Sequence, residues 1–225
     1  MTPIYEACVT SVSQARAAAR AGADRLELCA RLLTGGVTPP EARIRAVLAA
    51  AGVPVHIMIR RTTDGFRCSP RLLDRMLADI TAARHAGAHG LVLGVLDPDG
   101  GVDEATMRVL MDAAAGLSVT FHRAFDQTPD PFGALEALAA LGVCRILTSG
   151  GAPTARQGAP RLRQLVAAAR GRVRIVAAGT VRADHVAALV AETGVREVHA
   201  HLSTAREMAA LARVVKGWGA GSREQ

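Results

Sequence analysis

The chain has 225 residues, half of them apolar and only 3% aromatic, which suits one barrel-sized domain (~250 residues is common) with a core of Ala, Val, Leu and Ile. The net charge of +7 is almost all arginine, Lys216 being the only lysine; the arginines are scattered at helical spacing (Arg16, Arg20, Arg43, Arg45, Arg161, Arg163, Arg170), without basic runs, interleaved aromatics or zinc-finger spacing, so a nucleic-acid partner is excluded and a small anionic one is not. The four cysteines Cys8, Cys29, Cys68 and Cys144 form no Cys-x-x-Cys pair, residues 1–10 lack a signal-peptide pattern, and no charge-free apolar span nears the ~20 residues of a membrane helix, so a cytoplasmic protein with no membrane contact is expected.

In chain order, residues 4–9 form the first β-like run, with Glu6 and Cys8 at spacing two and therefore on one face. A helical pattern over 11–21 ends at Gly22, and a second strand, 24–29, carries Glu27 and Cys29 at the same spacing. Pro39 and Pro40 open a helix over 39–51. The third strand, 54–60, aligns His56, Met58 and Arg60 on one face. Ser69 and Pro70 start a helix over 69–86, followed by a strand at 89–95 and a helix at 103–115 begun by Asp103. The fifth strand, 117–123, ends in Thr120, His122 and Arg123, with Asp126 just beyond. Asp130 and Pro131 start the helix over 130–141. The sixth strand, 143–148, runs into Thr148-Ser-Gly-Gly, and a helix covers 154–170. The seventh strand, 172–177, runs into Ala178, Gly179 and Thr180 before a helix at 182–193. The last strand, 196–200, leads to His199, His201 and Ser203 and a helix at 203–215, leaving 216–225 as a flexible tail.

A degenerate phrase recurs along this order. Ala-Gly-Ala-Asp-Arg-Leu-Glu-Leu at 21–28 returns as Ala-Gly-Ala-His-Gly-Leu-Val-Leu at 86–93, Leu-Gly-Val-Cys-Arg-Ile-Leu-Thr at 141–148 and Thr-Gly-Val-Arg-Glu-Val-His-Ala at 193–200. Each places a glycine (Gly22, Gly87, Gly142, Gly194) where a helix would end in a left-handed cap, then a buried strand. Strict strand–helix alternation implies parallel strands. Eight units in four similar quarters predict a single α/β domain over 1–215, an eight-stranded parallel (β/α)8 TIM-type barrel. The runner-up, an open doubly wound sheet, would usually carry a Gly-x-Gly-x-x-Gly turn after its first strand, where this chain reads Cys8-Val-Thr-Ser-Val.

In such a barrel the chemistry sits at the C-terminal strand ends. Glu6, Glu27, Arg60, His122 and Arg123 are the catalytic candidates there, expected to point inward, with Arg60 and Arg123 as partners of the two carboxylates, because buried charge is costly unless paired. An internal ion-pair layer that only fills the barrel competes with that reading. Thr148, Ser149, Gly150 and Gly179, in the turns after strands six and seven, are candidate anion cradles built from backbone N–H groups. His199, His201, Cys68 and Cys144 are expected to be structural, and His85, His89 and His185 to lie on the surface.

The phrases Leu26-Glu-Leu-Cys-Ala, Gly35-Gly-Val-Thr-Pro, Val55-His-Ile-Met-Ile-Arg, Thr120-Phe-His-Arg-Ala-Phe-Asp, Arg145-Ile-Leu-Thr-Ser-Gly and Arg196-Glu-Val-His-Ala closely resemble the CutC family, over about residues 4–203. The resemblance implies a cytoplasmic, often oligomeric barrel named for copper homeostasis, with Cys8 and Cys29 at the positions of proposed copper ligands. Two thiolates near the Met58 thioether are what Cu(I) prefers, although free cysteines also simply pack and barrel shear decides whether neighbouring strands bring two thiols together. The chain departs from the family pattern at Arg61, where a proline is usual, in the loop Thr62-Thr-Asp-Gly-Phe, and at Ala178 and Thr180, which replace glycines. Three functions stay open: a Cu(I)-binding homeostasis protein, an enzyme acting on a small anionic, phosphorylated or sugar-like substrate, and a non-catalytic oligomeric scaffold.

Overall fold

The computed structural model describes residues 2–221. Eight parallel strands close into a barrel in sequence order, β1 Ile4–Val9, β2 Arg25–Leu28, β3 Val55–Met58, β4 Gly90–Leu93, β5 Ser118–Phe121, β6 Arg145–Thr148, β7 Arg174–Ala177 and β8 Glu197–Ala200, with β8 pairing back to β1. The helices between and after them are α1 Val12–Ala21, α2 Glu41–Ala51, α3 Pro70–His85, α4 Glu104–Ala114, α5 Pro131–Ala140, α6 Ala159–Ala169, α7 Val186–Thr193 and α8 Ala205–Gly221. Every expected strand and helix is present, and the open sheet is excluded by closure.

Local chemistry explains the boundaries. Ser11, Ser69, Asp103 and Asp130 each accept a hydrogen bond from a backbone N–H in the first turn of α1, α3, α4 and α5, satisfying donors a helix start leaves open. The four repeated glycines all have positive φ, from +73° at Gly194 to +100° at Gly22, so the repeat marks helix ends as its pattern predicts. Three helix boundaries differ from expectation by more than two residues. Helix α7 begins at Val186 rather than at 182, after a turn at 183–185. Helix α6 begins at Ala159 rather than near 154, because residues 150–158 are spent in turns over the end of β6. Helix α8 runs on through Gly221, so 216–221 is helix and not a tail; residues 222–225 lie outside the described residues.

Side chains alternate along each strand. Tyr5, Ala7 and Val9 of β1, Leu26 and Leu28 of β2, and Ile57 of β3 face outward into the layer between barrel and helices, where nearly all the apolar core lies. The inward residues are largely polar. Pairing sets Glu6 beside Arg25 and His199, Cys8 beside Glu27, and Glu27 beside His56. This small-side-chain core against the helices leaves the barrel lumen free for charged chemistry.

Candidate functional site

The lumen divides into a floor and a mouth. At the floor the buried Glu197 carboxylate accepts hydrogen bonds from Arg25 Nη2 at 2.6 Å and Arg145 Nε at 3.0 Å through one oxygen, and Arg174 Nε lies 2.9 Å from the other as an ion pair without hydrogen-bond geometry. Arg25 also donates through Nε to Glu6, whose other oxygen meets His199 Nδ1 at 2.8 Å. Burial alone would raise the Glu6 pKa, but Arg25 and then His199 outweigh it and hold the carboxylate ionised. The expected partners of the carboxylates are therefore corrected: Arg25, not Arg60 or Arg123, neutralises Glu6, and Glu6 belongs to the floor rather than to the cavity lining.

Above the floor a cavity of about 380 Å³ opens at the C-terminal mouth, lined among others by Cys8, Glu27, Met58, Arg60, Phe66, His122, Arg123, Gly179, Arg182 and His199. Glu27, Arg60 and His122 thus meet around one space, as their strand positions predict. Cys8 Sγ lies 3.7 Å from Cys29 Sγ and 3.6 Å from Glu27 Oε1, and both thiols cluster with Met58, Val92 and Leu32. The shear of the barrel therefore does bring the two cysteines together. The neighbouring thiol, burial and the Glu27 carboxylate push the Cys8 thiol well up. Burial likewise raises the Glu27 pKa, with the Glu6 charge adding to it against the opposing pull of His199.

His199 also lines the cavity. Ligand atoms of Cys8, Glu27 and His199 lie within 4.8 Å of one another, close enough to share one metal ion. The contact to Glu6 orients the ring through Nδ1 and leaves Nε2 for the cavity, the arrangement in which a carboxylate positions a ligating histidine. Burial would lower the His199 pKa, but Glu27 and Glu6 more than compensate and raise it. The spacing of His199, on β8, and His201, just beyond it, repeats that of Glu6 and Cys8 on β1.

Arg60 is held by backbone. Its Nη1 donates to the carbonyls of Gly36 at 3.2 Å and Thr34 at 3.4 Å, its Nη2 to that of Gly65 at 3.4 Å, and its guanidinium sits 4.6 Å over the Phe66 ring. The same ring lies 5.0 Å from the His122 imidazole. Phe66, in the loop that departs from the family pattern, is the platform for both, and composition and spacing gave no hint of it.

The anion cradle after β6 is corrected as well. Asp126 accepts hydrogen bonds from the Thr148 hydroxyl at 2.5 Å, from the backbone N–H of Ser149 and Gly151 at 3.0 Å each, and pairs with Arg123 Nε at 2.8 Å. The Gly150 N–H turns to Thr148 Oγ1. The anion in this nest is the chain's own carboxylate, which also neutralises Arg123. Gly179, at φ +97°, lines the mouth and packs against the Ser149 side chain of this turn, whereas Thr148, Ser149 and Gly150 do not line the cavity.

Comparison with known proteins agrees with this architecture. The model of the CutC family matches residues 3–204. The chain is 43% identical over 194 residues to the family protein CutC of Pasteurella multocida, covering 86% of this chain and 80% of that one. It is 39% identical over 204 residues to the human copper homeostasis protein cutC homolog, covering 91% and 75% respectively. A CutC crystal structure from Streptococcus agalactiae superposes with a TM-score of 0.84 at 31% identity, over 88% of this chain and 97% of that one. With a family match over nearly the whole barrel and relatives at about 40% identity, this chain belongs to the CutC family.

Proposed function

We propose that this chain binds Cu(I) at the barrel mouth, in a reducing cytoplasm, through the thiolates of Cys8 and Cys29 with Met58 alongside. The observation that carries the reading is the 3.7 Å approach of two buried thiols inside a cluster that also holds a thioether, a donor set of soft ligands that favours a soft monovalent ion. The copper-homeostasis name of relatives points the same way. Glu27 and His199 stand on the open side of Cys8 as further ligands, and no redox disulfide is needed, since all four cysteines are free. Binding displaces thiol protons, so the metal is taken up as the thiols deprotonate.

The test is an anaerobic titration of reduced protein against a chromogenic Cu(I) chelator. One Cu(I) per chain is expected. Replacing Cys8 and Cys29 together by Ser should weaken binding by about a thousandfold or more, the loss of two strong ligands, while the Cys68→Ser and Cys144→Ser variants should bind as the wild type does. An affinity unchanged in the Cys8→Ser, Cys29→Ser double variant overturns the reading.

A further inference from the structure

The copper pair uses one side of the Cys8 sulfur. Its other neighbours are Glu27 and His199, and a carboxylate oxygen and an imidazole nitrogen suit a soft monovalent ion less well than sulfur does. Cys29 lies 3.7 Å from Cys8 but outside the group of three whose ligand atoms all stand within 4.8 Å of one another. Cys8 therefore belongs to two donor sets of different character: a thiol with a thioether, and a carboxylate with an imidazole.

Glu27 is the member that the rest of the barrel leaves unexplained. It is 3% exposed and makes no ion pair with an arginine among the described residues. The Cys8 thiol donates to its Oε1, and its Oε2 has no hydrogen-bond partner. The two other buried glutamates of the lumen each meet an arginine, Glu6 through Arg25 and Glu197 through Arg25 and Arg145. A buried carboxylate without such a cation is the kind that coordinates a metal. His199 is prepared for the same role, because Glu6 at 2.8 Å from Nδ1 fixes the ring and leaves the other nitrogen to ligate.

We propose that Cys8, Glu27 and His199 form a site for a divalent ion of the zinc type, separate from the copper pair and with one coordination position left open. One sulfur, one nitrogen and one oxygen are a donor set that Zn2+ accepts, in the three-ligand form that keeps a fourth position for water or a ligand. Charge also points to a dication. A Cys8 thiolate and a Glu27 carboxylate carry two negative charges in a buried place, which Zn2+ cancels and Cu(I) does not. The spacing agrees: a sulfur about 2.3 Å and an oxygen about 2.1 Å from one tetrahedral ion stand roughly 3.5 Å apart, and Cys8 Sγ is 3.6 Å from Glu27 Oε1. All three residues line the mouth cavity of about 380 Å³, which gives the ion a way in. The site shares Cys8 with the proposed copper pair but does not rest on that reading.

The experiment titrates the reduced, chelator-treated chain with Zn2+ against a chromogenic zinc chelator, and with Co2+ as an optical probe. One Zn2+ per chain is expected. Bound Co2+ should show the near-ultraviolet band of a cobalt–thiolate bond and the strong visible bands of a four-coordinate ion. Glu27→Gln, which keeps the size of the side chain, and His199→Ala should each weaken Zn2+ by about a hundredfold or more, at least as much as losing a group behind a ligand costs. Circular dichroism checks that both variants are folded. Crossing the variants tells the two metals apart: Cys29→Ser should cost Cu(I) about tenfold more affinity than it costs Zn2+, and Glu27→Gln the reverse. The proposal is overturned if the wild type takes up no Zn2+, if the Co2+ spectrum lacks the thiolate band, or if both folded variants keep wild-type Zn2+ affinity. It is overturned as well if Cys29→Ser loses Zn2+ and Cu(I) alike, which would make the divalent ion a guest of the copper pair. A chain that binds Zn2+ as expected and no Cu(I) overturns the copper reading alone.

Discussion

His122 shows what a single inward residue contributes to the energetics of this barrel. Its folded-state pKa is pushed down to about 3, first by burial and then by Arg60, and that of His56 to about 4, again first by burial. Unfolded, both would titrate near 6.5. Between that value and the folded pKa the unfolded chain binds protons that the folded chain does not, so stability falls as pH drops through the window and is flat above about pH 7. At pH 5 the loss is about 2 kcal/mol for each histidine. In urea unfolding at pH 7.5 and pH 5, His122→Asn should lose about 2 kcal/mol less than the wild type between the two conditions; an equally steep loss would show that His122 is not held neutral. Strand parity put Glu27, Arg60 and His122 in one place, because a period of two survives any detail of packing. It misassigned the partners of the charges, because Arg25 lies at the N-terminal end of β2, where the β1–β2 register sets it beside Glu6 and closure of the ring brings Glu197 within its reach.

The elements were legible for a plain reason: caps, glycines and apolar periods are local, and each ended or began an element near where it stands. What stayed hidden were the turns at the C-terminal ends of the strands, whose shape depends on contacts between neighbouring loops. The turn after β6 is the clearest case. Gly158 packs so tightly against Ser149 that a Cβ there would lie 1.8 Å from the Ser149 carbonyl oxygen, and one on Gly150 would come within 2.6 Å of the Gly158 carbonyl oxygen. These glycines let the β6 turn nest under the start of α6, and the nest presents its N–H groups to Asp126. Gly158→Ala must push turn and helix apart. A cost of about 1–3 kcal/mol, typical of overpacking, is expected in chemical denaturation, together with faster hydrogen exchange at Ser149 and Gly151. Exchange at those two amides as slow as in the wild type would mean that the turn does not depend on this packing.

At the scale of the whole molecule, the barrel is tied together across its floor by charge rather than by apolar filling. Glu197 on β8 gathers Arg25 from β2, Arg145 from β6 and Arg174 from β7, and Arg25 links onward to Glu6 on β1. The ion pairs therefore span the seam where β8 meets β1. Glu197, Arg25 and Arg145 are all at least nine-tenths buried, whereas the Arg174 side chain is half exposed and its pair is screened by water. Removing one partner of a buried pair is far more costly than never having built the pair, because the charge left behind keeps its desolvation penalty. Glu197→Gln keeps the shape and takes away the one carboxylate that Arg25 shares with Arg145, so it should destabilise the fold by about 3–5 kcal/mol. Removing Arg145 as well, in Glu197→Leu with Arg145→Leu, should recover part of that loss, since no stranded cation remains there and the floor becomes apolar. Equilibrium unfolding of both variants reads the difference. If the double replacement is no more stable than Glu197→Gln, the floor is held by side-chain shape and not by the balance of its charges.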